Sequence, residues 1–368
     1  MRILLLADSN SPHTLRWSKS IRNQDHTIGI FSLHTADSSL YSDTPDISLF
    51  SLNASRELQT KNETNLSKLI YLSARKKVKQ IIKEFKPDIV HSHYASSYGL
   101  IGALSGFHPY VISLWGGDIF SFPKKSVVYK QILKFSLSKA DKILSTSKIM
   151  KEETKKYTDK EVLLTPFGID VDRFIPDKIN KFFKDDDFVM GTIKTLEKNY
   201  GVNFLIEAFA IVKKKFPDKP LKLLIVGKGT QKESLEEMVR ELGIEKDTIF
   251  TGYVDHNNVQ DYHNMLDIYV AMSLLESFGV AVLEASACGK PVIVSNVGGL
   301  PEVVENGKTG FIVEKGNSKA LAEALSKLIC GPDLAVKMGN EGRNKVIREY
   351  DWKESVNKMI SIYKTVAN

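Results

Sequence analysis

The sequence predicts an α/β protein made of two doubly wound halves, each built on a parallel sheet. Short apolar segments of strand length alternate with longer amphipathic segments of helix length along the 368 residues. Strands separated by single helices pair in parallel, because a parallel connection needs a crossover. The alternation stops in the acidic segment 169–187 and then restarts, and the length suits about two domains. We therefore expect one domain at 1–170 and a second at 171–349.

The first half opens with a buried strand at 2–7. A long helix is predicted over 66–85, because apolar residues recur there at helical spacing until Pro87 ends the pattern. Residues 34–64 are polar and irregular, with one short strand at 47–52. The other predicted strands are 26–31, 88–91, 110–114 and 142–145, with 163–166 closing the half. The other predicted helices are 14–22, 98–104, 127–139 and one that begins at Lys148.

The second half repeats the alternation. Its predicted strands are 188–193, 221–226, 248–251 and 268–271, and its predicted helices are 201–215, 235–242, 259–265 and 319–329. Between the last strand and the last helix lies the block 271–313, which holds the most informative residues of the chain.

Composition excludes several classes of protein. No apolar run approaches the roughly 20 residues of a membrane span. Asp8 interrupts the apolar start after five residues, which is too short for a signal peptide, so we expect a cytoplasmic protein. Cys288 and Cys330 form no disulfide framework or metal-ligand pattern. No Asp-x-Asp motif directly follows a predicted strand, and we expect neither a cofactor nor a metal.

The net charge of +7 is unevenly placed. Residues 1–170 contain 24 lysines and arginines against 16 acidic residues, whereas residues 171–368 contain 27 against 28. A basic half favours an anionic acceptor or the anionic inner face of a membrane, where the protein would be peripheral. The basic helix around 75–83, with Lys124 and Lys125, is the expected docking surface. A solvated lysine-rich surface explains the same charge equally well.

Glu276 and Glu284 stand eight positions apart in the run ESFGVAVLE. If a helix begins near Phe278, Glu284 lies on it and Glu276 precedes its first turn. The free amides at such a helix start suit a phosphate, and carboxylates suit sugar hydroxyls. Glutamates at this spacing also occur on solvated helices, but here their neighbours are apolar. The pattern therefore indicates a nucleotide-sugar site.

The block around these glutamates resembles the signature of the family 4 retaining glycosyltransferases, which have the GT-B fold. The family pattern E-G-F-G-x-x-x-x-E-A-x-A-x-G-x-P-V, followed by G-G-x-x-E, reads here E-S-F-G-V-A-V-L-E-A-S-A-C-G-K-P-V, followed by G-G-L-P-E. Ser277 is the one departure from the family's glycine. The resemblance implies two facing Rossmann-like domains with an inter-domain cleft, and a C-terminal helix at 350–368 that packs back on the first domain.

The resemblance also implies roles for the donor-side residues. Glu284 would hold the ribose hydroxyls and Glu276 the transferred sugar, while Lys194 and Lys198 would meet the diphosphate. Lys194 would replace an arginine of the family, whose place in the sequence is taken by Thr192. The other donor-binding residues implied are Phe278, Gly279, Val280, Gly227, Tyr253, Val254, Asn296, Gly298 and Gly299.

On the acceptor side the match is partial. SLWGGDIF occupies the place of the family's T-x-H-G-x-D, so that Gly116 and Asp118 match and Trp115 stands where the histidine is usual. An indole can donate a hydrogen bond and stack on a sugar, but it cannot transfer a proton. His13 and His93 each follow a predicted strand and are further acceptor-side candidates.

The resemblance implies transfer of a hexose, without metal, from a UDP-sugar or GDP-sugar to a hydroxyl of a glycan, a lipid-linked sugar or a small acceptor. A nucleotide-sugar epimerase of the same fold is the first alternative, and it would consume the donor without an acceptor. A non-catalytic polyanion or nucleic-acid binder is the second. We do not expect nucleic acid, because aromatic residues do not interleave with the basic runs as stacking platforms would.

Overall fold

The computed structural model describes residues 1–54, 65–177, 179 and 182–367, which form two compact units. The first unit comprises 1–166 together with 355 to the C-terminus, and the second comprises 167–354. Each unit holds one parallel sheet, which confirms the predicted α/β class with two doubly wound domains. Within the described residues, we find no helix that is both long and apolar enough to cross a membrane.

The sheet of the first unit has seven strands in the order β3-β2-β1-β4-β5-β6-β7. The strands are β1 Arg2–Leu6, β2 Thr27–Ser32, β3 Ser48–Ser51, β4 Ile89–His93, β5 Tyr110–Leu114, β6 Lys142–Ser145 and β7 Val162–Leu164. The helices are α1 Pro12–Arg22, α2 Asn65–Phe85, α3 Ser97–Ser105, α4 Gly117–Phe120, α5 Val127–Lys139 and α6 Lys148–Thr154. β1 reads as an almost continuous apolar run because helices cover a doubly wound sheet on both faces.

The sheet of the second unit has six strands in the order β10-β9-β8-β11-β12-β13. The strands are β8 Phe188–Ile193, β9 Leu221–Val226, β10 Thr248–Gly252, β11 Ile268–Ala271, β12 Val292–Ser295 and β13 Gly310–Val313. The helices are α7 Val202–Lys215, α8 Lys232–Glu241, α9 Val259–Asn264, α10 Val280–Ala287, α11 Leu300–Val303, α12 Ser318–Cys330, α13 Pro332–Glu349 and α14 Trp352–Ala367, the last of which passes into the first unit. The strand order reverses between β8 and β11, and in open α/β sheets ligands bind beyond the strand ends at such a point.

Several features differ from the sequence prediction. Helices α4, α11 and α13 and strands β12 and β13 were not predicted, and α10 begins at Val280 rather than near Phe278. Of the predicted irregular segment 34–64, residues 38–41 form a turn of 3₁₀ helix and Ser48–Ser51 form β3. Residues 55–64 of that segment lie outside the described residues.

Candidate functional site

The loops after β8 and β11 meet at the switch point of the second sheet. β8 leads into the loop that carries Lys194, and β11 leads into the loop that carries Glu276. Lys194 Nζ lies 2.6 Å from Glu276 Oε2, and the two side chains are only 18% and 13% exposed. The fold therefore joins two of the predicted catalytic residues, which are 82 positions apart in the chain, in a partly buried ion pair.

Tyr200 completes the surroundings of this ion pair. Lys194 Nζ lies 4.3 Å from the centre of the Tyr200 ring, a cation–π distance. Removing two charges from water costs free energy, and the attraction between them often does no more than offset that cost. The ion pair is therefore weak evidence that these residues stabilise the fold. It is better explained as a cation and a carboxylate held ready for a ligand.

The two glycines of the motif hold the Glu276 loop in place. Gly298 has φ +54, and a Cβ there would lie 1.7 Å from the Glu276 carbonyl oxygen. The amide of Gly299 donates to that same oxygen at 3.1 Å. A Cβ at Gly299 would lie 2.6 Å from the Ser277 carbonyl oxygen. The loop after β12 thus packs backbone against backbone on the loop after β11, which only residues without a side chain allow.

Helix α10 begins directly after this loop. Gly279 is its N-cap with φ +113, a conformation that favours glycine. Ser277 is not among the non-glycine residues of positive φ in the described chain, so serine meets no backbone penalty in place of the family's glycine. The Phe278 side chain is 3% exposed and packs near Phe167 and Tyr350, so Phe278 can offer a ligand its backbone. Val280 opens the helix, whose first amides lack partners within it.

Glu284 lies inside α10 and is 5% exposed. Two histidines from the preceding segment face its carboxylate. His263 Nε2 lies 3.6 Å from Oε2, and the exposed His256 has Nε2 4.0 Å from Oε1. A solvated helix face, the alternative that the spacing allowed, is therefore wrong for Glu284.

The ends of β8, β9 and β10 also approach closely. Gly227, with φ +144, donates its amide to the Gly252 carbonyl at 2.9 Å, and a Cβ there would lie 1.9 Å from the Lys194 carbonyl oxygen. Just beyond β10, the Tyr253 side chain is 65% exposed, and Lys228 Nζ lies 4.5 Å from its ring centre. An exposed ring with a cation on one face is suited to stacking on a planar ligand.

The remaining donor-side candidates lie at strand ends. Lys198 is exposed and starts a turn of 3₁₀ helix, and Val254 is half-buried beside Tyr253. Asn296 is exposed after β12, and its amide donates to the Val313 carbonyl at 2.7 Å.

In the first unit, Trp115 is the centre of an aromatic group. Its ring centre lies 4.3 Å from that of His93, 5.6 Å from that of His13 and 5.2 Å from that of Tyr94. His13 is exposed, whereas His93 is 2% exposed. Burial, with the charges of His91 and His13, lowers the pKa of His93 well below its usual value, so this imidazole is neutral.

Asp118 has backbone partners. Its carboxylate accepts the amides of Ala95 at 2.8 Å, Trp115 at 3.2 Å and Gly116 at 2.9 Å, and the side chain is 2% exposed. Burial raises its pKa against the opposing effect of these hydrogen bonds. Asp118 therefore joins the loops after β4 and β5 and fixes the Trp115 backbone, while Gly116 turns the chain at φ +126.

Sequence reasoning did not single out Tyr200, Lys228, His256 or His263. The aromatic residue two positions after Lys198 and the lysine within LLIVGKG were visible signals. The histidines gave none, because their role depends on the packing of α9 against α10.

Both halves of the chain match known protein families. Residues 174–345 match the family model described as "Glycosyl transferases group 1", and residues 2–147 match the one described as "Glycosyl transferase 4-like". Both halves of the chain therefore resemble glycosyltransferases of the family 4 type.

The chain spans different shares of two curated relatives. A GDP-mannose-dependent alpha-(1-6)-phosphatidylinositol monomannoside mannosyltransferase of Mycolicibacterium smegmatis is 32% identical over 201 residues, which is 51% of this chain and 52% of that protein. An N-acetyl-alpha-D-glucosaminyl L-malate synthase of Bacillus anthracis is 27% identical over 303 residues, which is 79% of this chain and 78% of that protein. The chain thus spans about half of the first relative and over three quarters of the second.

The fold is shared with solved glycosyltransferase structures. The Anabaena protein HepE in complex with UDP superimposes with a TM-score of 0.80 and 19% identity, covering 99% of this chain and 100% of that chain. The two parallel-sheet, Rossmann-like domains of this chain are those of the GT-B fold.

Proposed function

We propose that this protein is a glycosyltransferase that moves a hexose, with retention of configuration, from a nucleoside diphosphate sugar to a hydroxyl of a glycan, a lipid-linked sugar or a small acceptor. The observation that carries the proposal is the ion pair between Lys194 and Glu276 at the switch point, four residues before α10. A cation, a carboxylate and the free amides of a helix start there lie on adjoining loops. These are the groups that a diphosphate and a sugar require.

The names of similar proteins support the nature of the donor. The Mycolicibacterium relative is named for its dependence on GDP-mannose, and the Anabaena structure holds UDP. Both nucleotides carry a diphosphate on a ribose. We therefore assign the ribose hydroxyls to Glu284 and the diphosphate to Lys194 and Lys198, with the base beside Tyr253 and Val254.

The chemistry follows from these assignments. The bond between the anomeric carbon and the diphosphate oxygen breaks, and negative charge develops on the leaving diphosphate. Lysine ammonium groups and helix amides stabilise that charge, so the mechanism that we propose needs no metal. The acceptor oxygen bonds to the anomeric carbon on the same face, and its proton passes to the leaving phosphate. Glu276 orients the sugar through its hydroxyls.

Donor binding tests the proposal. In a panel of UDP-sugars and GDP-sugars, one donor should raise the melting temperature of the protein, because only a ligand of the folded state stabilises it. The substitution Glu284→Ala should raise the donor KM about tenfold or more with a much smaller change in kcat, since hydrogen bonds to a charged group are lost. Transfer assays with that donor measure both constants.

The matched control is Glu323→Ala, which removes an exposed glutamate from α12 in the same unit. It should leave both constants unchanged. A protein that binds no activated sugar would refute the proposal, and one that converts the donor without any acceptor would be an epimerase instead.

We further propose that the first unit docks on anionic membrane, where lipid-linked acceptors reside. Val127 and Val128 open α5 and are 74% and 66% exposed, and the exposed Lys124 and Lys125 precede them. Both α5 and α2 pack on α3, and α2 adds the exposed Leu72, Arg75, Lys76, Lys79 and Lys83. Exposed apolar side chains ringed by lysines fit a bilayer of acidic lipids.

Sedimentation with phosphatidylglycerol vesicles measures this docking. Binding should fade as salt rises, and the double substitution Lys124→Ala with Lys125→Ala should weaken it about tenfold or more, at about 1 kcal/mol per charge. The control is Lys155→Ala with Lys156→Ala, because these exposed lysines already pair with Glu152 and Glu153. Binding that ignores salt, or equal losses in both variants, would contradict the proposal.

A further inference from the structure

His263 is a fully buried polar residue whose ring has no hydrogen bond. It lies on α9, its side chain is 0% exposed, and neither Nδ1 nor Nε2 finds a hydrogen-bond partner in the part of the chain that the structure describes. Buried polar groups are nearly always paired, because an unmade hydrogen bond costs free energy. A histidine in this state calls for an explanation beyond packing.

The surroundings of His263 point to Glu284. Aromatic rings lie on other sides of the imidazole, with the centre of Tyr269 at 5.4 Å and that of Phe174 at 6.2 Å. The polar group that Nε2 faces is the Glu284 carboxylate, whose Oε2 lies 3.6 Å away. This distance exceeds the usual 2.7–3.2 Å between donor and acceptor in a hydrogen bond, but a small movement of the carboxylate would bring the two atoms within that range. Hydrogen bonds at ligand sites are often long before the ligand binds and shorten in the complex.

We infer that His263 is the positioning residue of Glu284. In the tautomer protonated on Nε2, its N–H donates to Oε2 and fixes the plane of the carboxylate, which sets the direction in which Oε1 and the second lone pair of Oε2 meet a diol. The inference rests on the proposed function, since it assigns that diol to the ribose of the nucleotide. Residues behind a ligand-binding group commonly set its orientation in this way.

His256 provides a natural comparison. Its Nε2 lies 4.0 Å from Oε1 of the same carboxylate, but its side chain is 51% exposed. Water competes for an exposed imidazole, so it holds the carboxylate far less firmly than a buried one does. Both histidines face the Glu284 carboxylate, but only His263 is buried. Substituting each histidine in turn therefore tests whether a histidine must be buried to orient the carboxylate, or whether lying near it is enough.

The experiment compares nucleotides with and without the ribose 2′-hydroxyl. Titration calorimetry measures Kd for UDP and 2′-deoxy-UDP, or for GDP and 2′-deoxy-GDP, whichever pair the wild-type protein binds. The wild type should prefer the ribonucleotide about tenfold or more, as expected for hydrogen bonds to a charged group. Glu284→Gln should reduce that preference, which shows that the ratio reports on the carboxylate.

His263→Leu should reduce the preference to about threefold or less, with a smaller loss of affinity for the 2′-deoxynucleotide than for the ribonucleotide, since the deoxynucleotide has only its 3′-hydroxyl to offer the misaligned carboxylate. His263→Gln, which keeps an N–H near the position of Nε2, should restore most of the preference. His256→Leu is the control and should keep the wild-type ratio. The Gln variant also serves if the Leu variant does not fold.

Two results would overturn the inference. One is a folded His263→Leu protein that keeps the wild-type preference, and the other is an equal loss of affinity for both nucleotides, which denotes a structural role alone. A Gln variant that folds but lacks the preference would also count against it. Failure of the proposed function looks different, because the wild-type protein would then bind neither UDP nor GDP.

Discussion

Replacing Lys194 with methionine is expected to lower kcat for sugar transfer by about 100- to 1000-fold, the usual cost of removing one group that stabilises charge in a transition state. Methionine keeps the length and the apolar contacts of the side chain but not its cation. Glu276→Gln should cause a loss of similar size. Because the two groups are 2.6 Å apart, the loss in the double variant should be well below the product of the single losses. Single-turnover transfer rates give all four values.

Lys327→Met is the matched control for this cycle. Lys327 is also a lysine of the second unit with its ammonium over an aromatic ring, that of Phe311, but it is exposed on α12. Its substitution should change kcat less than about threefold. Losses that multiply in the double variant would show that Lys194 and Glu276 act independently, and a Lys194→Met protein with full activity would remove Lys194 from the mechanism.

The pattern of apolar residues was enough to predict the class of this fold and most strands of its two sheets, but it did not predict strands β12 and β13 or helix α13. The sequence of α13 contains Gly339 and Gly342, which lower helix propensity. The structure shows why glycine is required at the first of these positions, since a Cβ at Gly339 would lie 2.0 Å from the Gly289 carbonyl oxygen. Close packing on the turn after α10 decides this helix, and such a contact is invisible in a single sequence.

The candidate site was also predictable only where its residues lie close together in the sequence. The spacing of Glu276 and Glu284 and the pair of glycines were readable because they lie within one short block. The ion pair of Lys194 with Glu276 was not, because it depends on β8 and β11 being neighbours although two strands lie between them in the chain. The contact of His263 with Glu284 likewise depends on the seating of α9 against α10.

Gly298→Ala is expected to destabilise the second unit by about 2–4 kcal/mol and to lower kcat/KM for the donor by about 100-fold or more. Two effects combine. Alanine is strained at φ +54, and its Cβ would meet the Glu276 carbonyl oxygen at 1.7 Å. The collision can be relieved only by moving the backbone of Glu276, which displaces its carboxylate from Lys194. Urea unfolding followed by tryptophan fluorescence, in a background where Trp17 and Trp115 are replaced by Phe so that only Trp352 of the second unit emits, measures the first effect, and donor kinetics measure the second.

Gly307→Ala is the control variant, because it introduces backbone strain without a steric collision. Gly307 has φ +79, and a Cβ there would have no heavy atom within 4 Å in the described chain, so its substitution should cost only about 1–2 kcal/mol and leave the donor kinetics unchanged. Stability and activity should therefore fall together for Gly298→Ala but separate for Gly307→Ala. If both variants lost activity equally, the loss would follow stability alone, and the contact between the Gly298 turn and the Glu276 loop would have no part in shaping the donor site.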